Sequence, residues 1–119
     1  MSDNPVISLD YRSYRRLRVH KKTLEMLGNP EYIQVLVNPT SKTVAIRVSD
    51  RNDPLALRVN TKYLKKDYYE LNSIELLRAL SLVNEGFNAG RTYRVYGEMS
   101  DHNRVAVFKV NDNGELNHA

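Results

Sequence analysis

Tyr32-Ile33-Gln34-Val35-Leu36-Val37 and Thr43-Val44-Ala45-Ile46-Arg47-Val48, joined by Asn38-Pro39-Thr40-Ser41-Lys42, carry the clearest structural signal in this 119-residue chain. The first run is rich in β-branched residues. The second alternates, placing Val44, Ile46 and Val48 on one face. Pro39 suits the second position of a turn, and Asn38, Thr40 and Ser41 complete the turn chemistry. Together the three pieces predict a β-hairpin. Asp50-Arg51-Asn52-Asp53-Pro54 then breaks the pattern and reads as an exposed connector.

Working back from the hairpin, Val6-Ile7-Ser8-Leu9-Asp10-Tyr11 reads as a strand and Arg12-Ser13-Tyr14-Arg15-Arg16 as a turn. Leu17-Arg18-Val19 is a short strand with Leu17 and Val19 on one face and Arg18 on the other. Residues 21–27 read as a short helix with Leu24 and Leu27 three apart, Gly28 as its C-cap and Pro30 as its stop. Working forward, residues 55–59 read as a strand, 60–67 as a polar turn or single helical turn, and 68–71 as a short strand. Asn72 and Glu75 suit a capping box. Ile74, Leu77, Leu80 and Val83 recur at helical spacing before Gly86. Residues 92–96 and 105–110 read as a second hairpin turning across 99–103, and the chain from Asn111 as a frayed polar tail.

Both halves thus follow one order of elements. Leu17, Val19 and Leu24 correspond to Tyr69, Leu71 and Leu76 at an offset of 52, and Val44-Ala45-Ile46 to Val105-Ala106-Val107 at an offset of 61. Neither half is large enough to bury its own apolar face. The expected fold class is α+β. Residues 1–119 would form one domain of two ββαββ-like repeats, 6–49 and 55–110, sharing one core. Antiparallel hairpins and two short helices would build it, with 111–119 as a flexible tail.

Eighteen Lys and Arg stand against 14 Asp and Glu, a net charge of +4, and there is no Cys or Trp. Residues 1–22 hold six basic residues, Arg12, Arg15, Arg16, Arg18, Lys21 and Lys22, against Asp3 and Asp10. The remaining 97 residues hold twelve of each sign, so the net charge sits in the first fifth of the chain. Such a patch concentrates phosphate-bearing partners, and Tyr11 and Tyr14 interleave with it. Tyr68, Tyr69, Tyr93 and Tyr96 read as packing residues at the core's edge. Without cysteine there are no disulfides, thiolate zinc sites or cysteine nucleophiles. No apolar run approaches the roughly 20 residues that cross a bilayer. Met-Ser-Asp-Asn-Pro-Val lacks the features of a signal peptide, so a cytoplasmic location is expected.

Leu17-Arg18-Val19, a short helix ending Met26-Leu27-Gly28, and then a hairpin resemble the AbrB/SpoVT and MraZ group of bacterial swapped-hairpin proteins. The likeness covers residues 6–49 and, more faintly, 55–110. The two-repeat chain looks most like the MraZ arrangement. The resemblance implies a DNA-binding transcriptional regulator whose basic turn and strand face the duplex. Carried over residue by residue, it assigns that role to Arg12, Arg15, Arg16 and Arg18. The family's Gly-Arg first turn and its proline before the helix are replaced here by Ser13-Tyr14-Arg15-Arg16 and His20-Lys21. The second half has no basic turn, because Asp67-Tyr68-Tyr69-Glu70 is net acidic. Binding would then use one half, or a homodimer would supply two copies of it.

Enzymatic chemistry finds no support. His20, His102 and His118 show no metal-ligand spacing, the glycines form no phosphate-binding loop, and no serine sits in a nucleophile elbow. Asp50 and Asp53 flank a proline and suit turn formation. No cofactor, metal or catalytic residue is expected. The expected partner is double-stranded DNA, with Arg12, Arg15, Arg16, Arg18, Lys21, Lys22 and Tyr14 as its contacts. The competing expectation is a protein-binding accessory or inhibitor module of a phage or mobile element, comparable in type to an anti-CRISPR protein. Its basic segment would dock on an acidic protein or nucleoprotein.

Overall fold

The computed structural model describes residues 4–11, 16–38, 40–59, 64, 66–71, 92–110 and 116–118. The 32–48 hairpin forms as expected: β3 (Tyr32–Asn38) and β4 (Thr43–Ser49) pair in register from Tyr32 opposite Ser49 to Asn38 opposite Thr43. Asn38 Oδ1 accepts the backbone N–H groups of Thr40 and Ser41 at 3.0 and 3.1 Å, closing the turn locally.

β1 (Val6–Asp10) and β2 (Arg16–His20) form a second antiparallel pair, and β2 runs directly into α1 (Lys21–Met26). Gly28 ends that helix at φ +84°, a conformation that favours glycine. The Gly28 amide bonds the Glu25 carbonyl at 3.0 Å and the Asn29 amide bonds the Leu24 carbonyl at 2.8 Å, the paired bonds of a Schellman motif. The helix thus stops where Gly28 and Pro30 predict.

Five further strands are β5 (Leu57–Arg58), β6 (Tyr68–Leu71), β7 (Thr92–Tyr96), β8 (Glu98–Ser100) and β9 (Val105–Lys109). The tail contributes a tenth, β10 (Leu116–His118), which pairs with β7. One antiparallel sheet has the order β10-β7-β1-β2-β6, the other β5-β3-β4-β9-β8.

The expected α+β class is therefore corrected. The described chain is mostly β, with ten strands in two antiparallel sheets and one six-residue helix. It is not a pair of ββαββ repeats carrying two short helices. Each sheet buries one apolar face, and a six-residue helix is too short to cover either, so the sheets cover each other. The expected helix over 72–86 lies outside the described residues. Strands of the first half also pair across to the second: β1 with β7, β2 with β6, β3 with β5 and β4 with β9.

The expected second hairpin is corrected too. β7 and β9 lie in different sheets, and the hairpin partner of β9 is β8. Gly97 makes the crossing. A Cβ there would overlap the Val107 carbonyl oxygen and stand 2.6 Å from Phe108 Cδ1. Without a side chain, the backbone passes flush against β9 while its amide bonds the Pro5 carbonyl at 2.9 Å.

The core lies between the sheets. Ile7, Leu9, Leu17, Val19 and Val95 meet Ile33, Val44, Ile46 and Phe108, all without solvent exposure, and Leu24 of α1 joins them. Thr23, beside Leu24, is equally buried. Its hydroxyl donates to the Val6 carbonyl at 2.8 Å and accepts the Val6 amide at 2.7 Å, tying α1 to the start of β1.

Candidate nucleic-acid interface

Alternation along the strands decides which side chains turn away from the core. Leu17 and Val19 point inward, so Arg16, Arg18 and His20 share the opposite face. On β1 the same rule places Ser8 and Asp10 there, and on β7 it places Thr92, Arg94 and Tyr96. Tyr69 of β6 packs against the core, which turns Tyr68 and Glu70 to the polar face.

The register aligns these residues in rows. Glu70 lies opposite Arg18, Arg18 opposite Ser8, and Ser8 opposite Arg94. In the next row, Asp10 lies between Arg16 and Thr92. β1 is the central strand, so its neighbours' long side chains cover it: Ser8 is 4% exposed and Asp10 3%.

Charged groups on this face engage one another. Glu70 Oε1 lies 3.1 Å from Arg18 Nε and 3.4 Å from Arg16 Nη1. Arg18 Nη2 lies 3.5 Å from the buried Asp10 Oδ2, and Asp10 Oδ1 accepts from the Thr92 hydroxyl at 3.3 Å. The Arg18 guanidinium also sits 4.7 Å from the centre of the Tyr68 ring, with Lys66 Nζ 5.7 Å from it. Such cation–ring contact orients the guanidinium and occupies the aromatic face. Ser8 Oγ is 2.7 Å from His20 Nε2. Burial, then the charges of Arg94 and Arg18, hold the His20 pKa below its usual 6.5.

The structure divides the basic residues singled out in the sequence. Arg16 and Arg18 lie on the polar face. Lys21 and Lys22 follow at the exposed start of α1, where the Lys21 amide bonds the Asp67 carbonyl at 2.8 Å. Arg12, Tyr14 and Arg15 fall outside the described residues. Tyr11 is a core residue, 4% exposed, with its ring edge-on to Tyr93 at 6.1 Å. Of the tyrosines expected to pack, Tyr93 is buried and Tyr69 packs against the core, whereas Tyr96 is 45% exposed on the polar face.

Sequence reasoning missed Arg94, Lys66 and the engagement of Glu70. Arg94 belongs to the electrically neutral part of the chain, and only the β1–β7 register brings it level with Arg18 across Ser8. Its alternation with Tyr93 and Val95 was the available signal. Glu70 was visible as an acid of the second half, but nothing local links it to Arg16, 54 positions earlier.

A second polar cluster, at one end of the other sheet, lines a cavity of about 300 Å³ with Arg47, Ser49, Asp50, Asp53, Asp101 and Arg104. Asp53 acts there as the expected turn former. Its carboxylate accepts the Leu55 amide at 2.9 Å and the Ser49 hydroxyl at 2.8 Å, and these bonds draw its pKa down. Among the described residues no group of three or more His, Asp or Glu is placed to hold a metal ion. Among them, too, no helix is long and apolar enough to cross a membrane. No protein-family model, no curated protein and no solved structure matches the chain.

Proposed function

We propose that this chain is a small DNA-binding protein of the transcription-regulator type, using the polar face of the β10-β7-β1-β2-β6 sheet and the adjoining start of α1. The observation that carries the reading is the register that sets Arg18 and Arg94 on either side of Ser8, with Arg16 in the neighbouring row. Lys21 and Lys22 extend the positive surface beyond the end of β2. Arginine and lysine on one face neutralise backbone phosphates and release counterions, the main sequence-independent source of affinity. Arg12, Tyr14 and Arg15 stand between Tyr11 and Arg16 in the sequence and belong to the same proposal.

Duplex DNA is favoured over a single strand because Arg18 and Lys66 already occupy the Tyr68 ring, leaving it a poor stacking platform for bases. Fluorescence anisotropy on a labelled duplex across a salt series tests the proposal. Affinity should fall steeply with salt, and Arg94→Ala should weaken it. No binding at low salt, or an Arg94→Ala protein indistinguishable from the parent, would overturn the reading.

A protein partner is the second reading. Arg16 and Arg18 already grip a carboxylate, as they would on an acidic protein or nucleoprotein surface. An accessory or inhibitor module of a mobile element would return a stoichiometric acidic partner in a pull-down and show no affinity of its own for DNA.

A further inference from the structure

The polar face holds two carboxylates with different freedom to move. Asp10 belongs to the central strand, its side chain is 4% exposed, and it is held by both Arg18 and Thr92. Glu70 belongs to β6, the last strand of the sheet's order, and its side chain is 30% exposed. One oxygen, Glu70 Oε1, receives both arginines. Two guanidinium groups converging on one anionic oxygen is an arrangement that equally suits a phosphate oxygen. Asp10 and the Tyr68 ring fix the Arg18 guanidinium in place, so the site is ordered before any ligand arrives.

From this geometry, and resting on the DNA-binding reading above, we infer that Arg16 and Arg18 form a backbone-phosphate site that the Glu70 carboxylate fills in the free protein. A phosphodiester of the duplex takes the place of Glu70, whose side chain turns out to solvent from the sheet's outer strand. Asp10 stays, because it is buried and bound on two sides. Partly exposed ion pairs are weak enough to exchange with phosphate, so Glu70 lowers affinity without closing the site. It also sets a threshold, since weakly held anions do not displace it while a polyanion with neighbouring contacts does.

The test is duplex binding by anisotropy for the parent, Glu70→Gln, Glu70→Asp and the charge control Asp67→Asn, each checked by urea melting. Asp67 is exposed beside β6, and its structural contact uses the backbone carbonyl, which Asp67→Asn keeps. Glu70→Gln should bind about fivefold tighter, the worth of one partly exposed ion pair. Its slope of log affinity against log salt should equal the parent's, because both complexes engage the same phosphates. Glu70→Asp, which keeps the charge but draws it back from the arginines, should bind more tightly by a smaller factor. Asp67→Asn should change affinity less than about twofold, as a rim charge does. Should Glu70→Gln not melt cooperatively, Glu70→Asp decides the matter. The inference is overturned if the parent binds and removing Glu70 has the same effect as Asp67→Asn, or weakens binding. It is equally overturned if Glu70→Gln steepens the salt slope by about 0.9 or more, since the arginines would then reach phosphate only in the variant. Failure of every protein to bind duplex would instead reject the DNA-binding reading itself.

Discussion

Ser8 Oγ and His20 Nε2 lie 2.7 Å apart, joining the central strand of one sheet to its neighbour at a half-buried position between Arg18 and Arg94. A proton on His20 would add a third positive charge where two already stand, and Asp10 and Glu70 on that face are both engaged with arginine. His20 therefore takes up its proton at lower pH in the folded chain than the 6.5 of a free histidine. As pH falls, the unfolded chain binds the proton first. Stability contributed by neutral His20 is complete above 6.5 and is lost as pH drops through the folded-state value. The melting temperature should thus decline as pH falls below about 6.5, and His20→Gln should flatten that decline. An unchanged pH profile in His20→Gln would show that the imidazole does not titrate against the fold.

Gly97 leaves no room for a side chain beside Val107 and Phe108. Gly97→Ala should destabilise the protein by about 1–3 kcal/mol in urea unfolding, the usual cost of overpacking. Stability equal to the parent's would mean that the sheet-to-sheet crossing tolerates a wider path.

Thr23 satisfies both the amide and the carbonyl of Val6 inside the protein. Thr23→Val keeps the shape and strands both groups, at about 2–4 kcal/mol. Thr23→Ser keeps the hydroxyl and loses a methyl, at about 1 kcal/mol. If the two variants melt alike, the hydroxyl contributes nothing beyond packing.

Among the described residues Phe108 is the largest fully buried side chain, and it lies against the Gly97 crossing. Phe108→Ala should cost about 3–5 kcal/mol, a large share of the total stability of a domain of this size. Circular dichroism under urea reads the effect directly, and a loss below about 1 kcal/mol would contradict a core centred there.

Lys21 and Lys22 stand exposed in the first turn of α1, which follows directly on β2. Replacing both with alanine should weaken duplex binding and lower the salt slope by about 0.9 for each phosphate that is no longer neutralised. Stability should change by less than about 1 kcal/mol, the usual worth of an interaction made by an exposed lysine. Weaker affinity with the slope intact would place them outside the DNA-facing surface.

Local chemistry is readable wherever a residue's neighbours in sequence are also its neighbours in space. The 32–48 hairpin, the alternation of Leu17, Arg18 and Val19, and the stop at Gly28 are of that kind. Fold class is harder to read, because like-ordered elements in both halves suggest two ββαββ-like repeats, each pairing its own strands around a shared core. Instead, the strands complete their hydrogen bonds across the halves. Gly97 gives no local signal because its constraint comes from Val107 and Phe108, ten or more positions away. The three-residue strand after it is too short to show a period. At the site, the clustering of arginine is plain in the sequence. Its neutralisation by Glu70 and its reinforcement by Arg94 depend on register, which no local pattern encodes.

The pairing of β1 with β7 also governs how the chain must be made. Val6 lies opposite Tyr96, ninety positions later, and Thr43 opposite Lys109. Neither sheet can close before the ribosome has added β7 and β9. The first strands emerge with one flank open and wait for partners synthesised much later. Such high contact order belongs to the slower, millisecond-to-second regime of folding, with loop closure opposing each long-range pairing. Until those partners arrive, the apolar side of β1 and β2 is a surface that chaperones can hold and that neighbouring nascent chains can join.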